Sequence, residues 1–183
     1  TMSKNRLFFF YFSTIFFLKF APILICIIMV RRKNRLVVEP FDDIKIIGIN
    51  TSMMDYQLAH YLNKTLKLEL VKYRSITNNG EDFYSFYRYD AGESSNTFNL
   101  IGLIYENKEW VSFKPKTEYL LIIRNYIEES NFQLLITKIK SIPQVYHAYN
   151  ISLDYNKKID VILEDIEFHE MEIANEQNGG NRG

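Results

Sequence analysis

His60, His147 and His169 are the three histidines of the chain and Cys26 is its one cysteine, so imidazole and thiol chemistry has few places to occur. A zinc site needs ligands at close, regular spacing, and no histidine here has a second His, Cys or carboxylate in such a pattern. No Gly-x-Ser-x-Gly, Walker or Gly-x-Gly-x-x-Gly string occurs, and the glycines at 48, 80, 92, 102, 179, 180 and 183 are too scattered to cradle a phosphate. Paired acids (Asp42-Asp43, Glu81-Asp82, Glu128-Glu129, Glu164-Asp165) fall in loops or on a solvated face, where they serve solubility. The sequence therefore assigns no catalytic, cofactor-binding or metal-ligating residue. Its best-placed polar group is a helical stripe of Tyr56, His60, Asn63 and Lys64, with Lys67, opposite Leu58 and Leu62. That stripe suits a small anion or a partner protein, although any amphipathic helix has a polar face. His147, between Tyr146 and Tyr149 in a strand, reads as structural.

The elements that must position these residues follow from periodicity. Ile44–Ile49 is a short β-branched run, the pattern of a strand buried on both faces. Ser52-Met53-Met54-Asp55 then resembles a capping box, and Leu58, Ala59, Leu62 and Leu66 recur at helical spacing. Leu68–Tyr73 alternates as a second strand, ended by the turn at Asn78-Asn79-Gly80. Phe83–Tyr89, Thr97–Tyr105 and Trp110–Phe113 read as an antiparallel meander, connected at Asp90-Ala91-Gly92 and Glu106–Glu109. Tyr119–Arg124 is a core strand, Ser130-Asn131-Phe132-Gln133 a second capping box with Phe132, Leu135, Ile136 and Ile139 on one helical face, and Val145–Ile151 a strand after Pro143. Residues 44–73 and 119–151 are thus two strand–helix–strand units. The expected fold is α+β: a ferredoxin-like α/β plait with two main helices on one face of the sheet and residues 83–113 as an inserted antiparallel meander. Near the end, Ile159, Ile162, Leu163 and Ile166 fit a helix, while Ile159, Val161 and Leu163 also fit a strand.

Composition bounds the partners. The 183 residues are 47% hydrophobic and 24% charged, enough for one domain, expected over residues 37–168, with a disordered tail at 175–183. The 22 basic and 22 acidic residues balance, but residues 1–28 contain three basic residues and no acidic one, leaving the body slightly acidic. Leu7–Val30 is an apolar run of 24 residues broken by Lys19 and rich in Phe, long enough to span a bilayer. The chain starts at Thr1, and Met29 stands before Val-Arg-Arg-Lys-Asn-Arg, a natural start for a soluble protein. Residues 1–28 therefore read either as upstream sequence included by a mis-called start or as an N-terminal membrane anchor. Arg31, Arg32, Lys33 and Arg35 after the run would keep the domain on the cytoplasmic side of an inner membrane. The expected location is cytoplasmic, with membrane contact only if residues 7–30 are a true anchor.

Gly48-Ile49, Asp55-Tyr56-x-Leu58-Ala59-x-x-Leu62-Asn63-Lys64, the Tyr- and Phe-rich middle and Ile139-x-x-Ile142-x-x-Val145 resemble the IPExxxVDY family of small uncharacterised proteins, chiefly from Bacteroidetes. The resemblance covers residues 37–166. The family's name-giving string departs here to Ile142-Pro143-Gln144, with no Val-Asp-Tyr. It implies a bacterial source and a cytoplasmic location, and it carries over no catalytic residue. The functional expectation is a non-catalytic module that binds a small molecule or a protein. The alternatives are an enzyme of unrecognised type or an RNA-binding plait that stacks bases on Phe83–Tyr89, the latter opposed by the acidic body.

Overall fold

The computed structural model describes residues 43–78, 80–90, 92, 95–153 and 157–179; the apolar leader and residues 180–183 lie outside them. Along the chain come β1 (Lys45–Thr51), α1 (Asp55–Leu66), β2 (Val71–Lys72), β3 (Ile76–Asn78), β4 (Asp82–Tyr84), β5 (Phe86–Asp90) and β6 (Thr97–Gly102). They are followed by β7 (Ile104–Tyr105), β8 (Lys108–Glu109), β9 (Tyr119–Arg124), α2 (Glu129–Lys140), β10 (Val145–Ile151) and α3 (Lys157–Gly179). The protein is α+β. Six strands form one sheet in the order β10-β1-β9-β6-β5-β2, every neighbouring pair antiparallel, while β3-β4 and β7-β8 are separate two-stranded ribbons.

The continuous apolar runs occupy the centre of this sheet because both of its faces are covered. On one face Ile47, Ile49, Leu100, Leu121 and Ile123 meet Leu58, Ala59 and Leu62 of α1 and Phe132, Ile136 and Ile139 of α2. On the other, Ile46, Phe86, Ile101, Leu120 and Ile122 meet Ile159, Ile162, Leu163 and Ile166 of α3. The helical spacing of the C-terminal segment thus prevails over its strand-like alternation: it supplies the stripe that covers the second face. The helix runs through Gly179, so residues 175–179, expected to be disordered, continue it.

Several local expectations change. α1 begins at Asp55, not at Ser52: Gln57 Oε1 accepts the Met54 N–H at 3.1 Å, while Thr51 Oγ1 takes the Met53 N–H at 3.2 Å. α2 begins at Glu129, which puts Ser130 inside the first turn instead of at a cap. The expected strand at Leu68–Tyr73 shrinks to Val71–Lys72, because Lys67 closes α1 in a left-handed conformation (φ 58°) and Asn63 holds the backbone of Leu70. Phe83–Tyr89 breaks at Ser85, where β4 leaves to pair with β3. Trp110–Phe113 forms no strand; the Trp110 ring instead stacks on Tyr84 at 4.8 Å. The turn at Glu106–Asn107 does form, both residues having positive φ as a tight hairpin requires.

One pairing fixes the sheet edge. Tyr149 of β10 lies directly opposite Gly48 of β1, and a Cβ on Gly48 would come within 2.9 Å of the Tyr149 ring and of Ile151 Cδ1. The missing side chain lets the ring lie close to β1 and its hydroxyl reach Thr117 Oγ1 (2.6 Å) and the Pro115 carbonyl (3.0 Å).

Candidate functional site

The stripe expected from the sequence divides. Tyr56 is 61% exposed, and His60 and Lys64 are exposed above it at successive turns, the His60 ring meeting Tyr61 edge-on at 5.8 Å. Asn63 is turned away from them. Its amide donates to the Leu70 carbonyl at 3.2 Å and accepts the Leu70 N–H at 2.8 Å, so its polar atoms join α1 to the following loop. Among the described residues neither His60 nor His147 pairs with a carboxylate. His169 is buried, with Nε2 2.8 Å from the Arg74 carbonyl oxygen and the ring edge-on to Phe86.

A more enclosed arrangement lies at the N-terminal end of α1. There the ends of β1 and β6 and the starts of β5 and β9 leave a cleft of about 440 Å³. Its polar wall includes Ser52, Asp55, Lys72, Ser75, Ser85 and Glu118, and the exposed side chains of Met54, Phe83 and Ile104 give it an apolar rim. Gly102 forms part of the floor: a Cβ there would sit 2.5 Å from Ser85 Oγ, so glycine leaves room for that hydroxyl against the sheet.

Asp55 organises the wall. Its Oδ2 accepts from Lys72 Nζ at 2.9 Å and from the Tyr87 hydroxyl at 3.1 Å, while Oδ1 accepts the Tyr56 N–H at 2.8 Å. Burial pushes this carboxyl up, but the Lys72 ammonium, the Tyr56 amide and the Tyr87 hydroxyl together outweigh it and hold it below the usual carboxylate range. Burial first, and then the charge of Asp55, pushes the Tyr87 phenol well above its ordinary value. Tyr119 is pushed up to about 12 by burial and then by Asp55 and Glu118, and its hydroxyl donates to the Met53 carbonyl at 3.0 Å. Glu118 Oε2 accepts the Thr51 N–H at 3.1 Å, which holds the end of β1 against the start of β9.

These shifts bear on chemistry. A general acid or base works best with a pKa near neutrality. Here the carboxylate moves down and both phenols move up, so Asp55 stays ionised and the tyrosines stay protonated. These three groups therefore serve as fixed donors and acceptors. The aromatics of Phe83–Tyr89 form no stacking platform, since Tyr84, Phe86 and Tyr87 are buried and helices cover both faces of the sheet.

Sequence reasoning missed this cleft because Asp55, Lys72, Tyr87 and Tyr119 come from four separated segments with no motif to link them. The one available signal was Asp55 at the start of a helix, which was read as a cap. No protein-family model, curated protein or solved structure matches the chain. Among the described residues no three His, Cys, Asp or Glu side chains are placed to hold a metal ion, and no helix is long and apolar enough to cross a membrane.

Proposed function

We propose that this protein is a non-catalytic binding module whose cleft at the N-terminus of α1 takes a small polar molecule with an apolar edge. The observation that carries this reading is the bonding of the wall: Asp55 is held by Lys72, the Tyr87 hydroxyl and the Tyr56 N–H, Tyr119 by the Met53 carbonyl and Glu118 by the Thr51 N–H, so its ionisable side chains are engaged within the protein. The cleft then recognises by hydrogen bonding through Ser52, Ser75 and Ser85, with Met54, Phe83 and Ile104 covering an apolar edge of the ligand. The exposed face of Tyr56, His60 and Lys64 beside the same helix is a second contact surface for a protein partner.

The fold that goes with this reading is a ferredoxin-like plait. In its support, β10-β1-β9 keep the fourth-first-third order of a plait; β6, from the expected meander, stands where the second strand would lie, and β2, the strand of the first unit, is carried to the sheet edge beyond β5. A cytoplasmic location and kinship with the IPExxxVDY proteins belong to the same proposal and rest on the residues quoted for them.

The test is an NMR screen of the full chain against neutral polar fragments. Binders should shift the amides of Ser75, Ser85 and Gly102. Fragments that bind only elsewhere, or turnover of simple ester or phosphate-ester substrates that is lost in Tyr119→Phe, would overturn it.

A further inference from the structure

A second polar cluster lies on the opposite face of the sheet, under the C-terminal half of α3. Arg88 on β5 and Asn99 on β6 are cross-strand partners, and Arg124 on β9 pairs with Thr97, two residues along β6. All three converge on one carboxylate, that of Glu170. Its Oε2 accepts from Arg124 Nη1 at 2.9 Å, and its Oε1 accepts from Asn99 Nδ2 at 3.0 Å and lies 3.5 Å from Arg88 Nη1. Arg88 Nη2 also donates to Asp90 Oδ2 at 2.9 Å.

This cluster holds more donors than Glu170 uses. Arg124 Nε and Nη2 are buried and have no hydrogen-bond partner. Asn99 is wholly buried, and its Oδ1 is likewise without a partner. Leaving such atoms unmatched inside a protein costs more than an ordinary hydrogen bond gains: the two Arg124 donors call for an acceptor, while Asn99 Oδ1, itself an acceptor, calls for a donor. A guanidinium presents a fork that fits the paired oxygens of a carboxylate or phosphate. Glu170 engages only one Arg124 nitrogen, and the other two remain for an oxyanion that meets the guanidinium fork side-on.

The carboxylate stands beyond the apolar stripe of its helix. The fully buried apolar side chains of α3 end at Ile166; beyond them His169 reaches the Arg74 carbonyl and Glu172 pairs with Arg74 at 2.8 Å, on the surface. We propose that Arg88, Asn99 and Arg124 form an oxyanion-binding site, for the phosphate or carboxylate group of a small molecule, which Glu170 fills as an internal occupant. This site is separate from the cleft at α1 and stands or falls independently of it.

The experiment uses the full chain with Glu170→Ala and the isosteric Glu170→Gln. Thermal unfolding is followed while sodium phosphate, sodium acetate or sodium chloride is added at matched ionic strength. A tethered carboxylate competes at an effective concentration on the order of millimolar, so its removal should tighten apparent phosphate or acetate binding by about ten-fold or more. Both variants should be stabilised beyond the chloride control, and adding Arg124→Ala should abolish that response. A preference for phosphate assigns the site to phosphorylated ligands, and equal responses to the two anions assign it to carboxylates as well. An effect no larger than that of chloride, or one that survives Arg124→Ala, overturns the proposal and leaves the unpaired atoms to a buried water. If neither variant folds, the side-chain Nε–H resonance of Arg124 in the unaltered chain decides: it should shift with phosphate and not with chloride, and equal behaviour in both salts overturns the site.

Discussion

α1 and α2 meet one face of the sheet through apolar side chains along their lengths, with one ion pair each at their first residues (Asp55–Lys72 and Glu129–Lys45), whereas α3 meets the other face in two different ways. As far as Ile166 its contacts with the sheet are apolar; from His169 onward its side chains are held largely by polar and ionic contacts, through His169, Glu170 and Glu172. Apolar burial depends little on salt, while partly exposed ion pairs weaken as salt screens them. The same sheet therefore carries a fixed cover on one side and, on the other, a cover whose final turns are held by charge.

The largest effects should come from the apolar layers. Leu62 and Ile162 are both fully buried, on opposite faces. Each changed to Ala should cost roughly 2–5 kcal/mol in denaturant melts. A cost below about 1 kcal/mol for Ile162→Ala alone would break the comparison, since α3 would then contribute little to the core. Next comes Asn63→Ala, which removes both bonds to Leu70 and should cost about 1–2 kcal/mol, although the residue lies beside an exposed helical face.

Asp55→Ala should cost about 1 kcal/mol, limited by the exposure of the Lys72 ammonium. The carboxyl is held lower in the folded protein than in the unfolded chain, so its contribution is complete above the unfolded value of about 3.9 and is lost as pH falls through the folded one. Stability curves of Asp55→Ala and the unaltered chain should accordingly converge in acid. A gap that stays constant down to about pH 2 would show that Asp55 acts by packing alone.

Salt gives a smaller, localised effect. Raising it from about 0.05 to about 0.5 M should speed amide exchange in residues 169–175 and leave the apolar stretch of α1, residues 58–66, unchanged. Equal response of the two helices would remove the distinction between fixed and charge-held cover. Smallest of all, His60→Ala should alter stability by less than about 0.5 kcal/mol, as its exposed position implies.

The parts of the fold legible in the sequence are those where one residue type repeats at one spacing. Ile46–Ile49 in β1 and Leu120–Ile123 in β9 are apolar without a break, and the stripes Leu58–Leu62 and Phe132–Ile136–Ile139 have the helical period, so their burial follows from pattern. α3 was ambiguous because Ile159, Val161 and Leu163 satisfy a strand while Ile159, Ile162 and Ile166 satisfy a helix. Only the uncovered second face of the sheet decides between them, and no local pattern shows that face. Asn63 was misplaced for a similar reason: its spacing puts it near the polar stripe, but the length of the loop to Leu70 sets where its amide points. The polar cluster did leave a trace in Asn99, enclosed by Phe98 and Leu100, and in Arg88 between two tyrosines. Each is a polar residue inside a strand whose neighbours are buried, and such interruptions ask what lies opposite them.

The vacancy at Gly48 has a consequence for how the chain finds its alignment. A shift of β10 by two residues along β1 would keep every side chain on its own face, so hydrophobic patterning alone does not forbid it. It would, however, set the Tyr149 ring against the side chain of Ile46 or Asn50 and carry its hydroxyl away from Thr117 and Pro115. Only in the observed alignment does the ring find a position with no side chain beneath it. Gly48 and Tyr149 thus act as a notch and a key, and it is the absence of a side chain that tells the last strand where to stop.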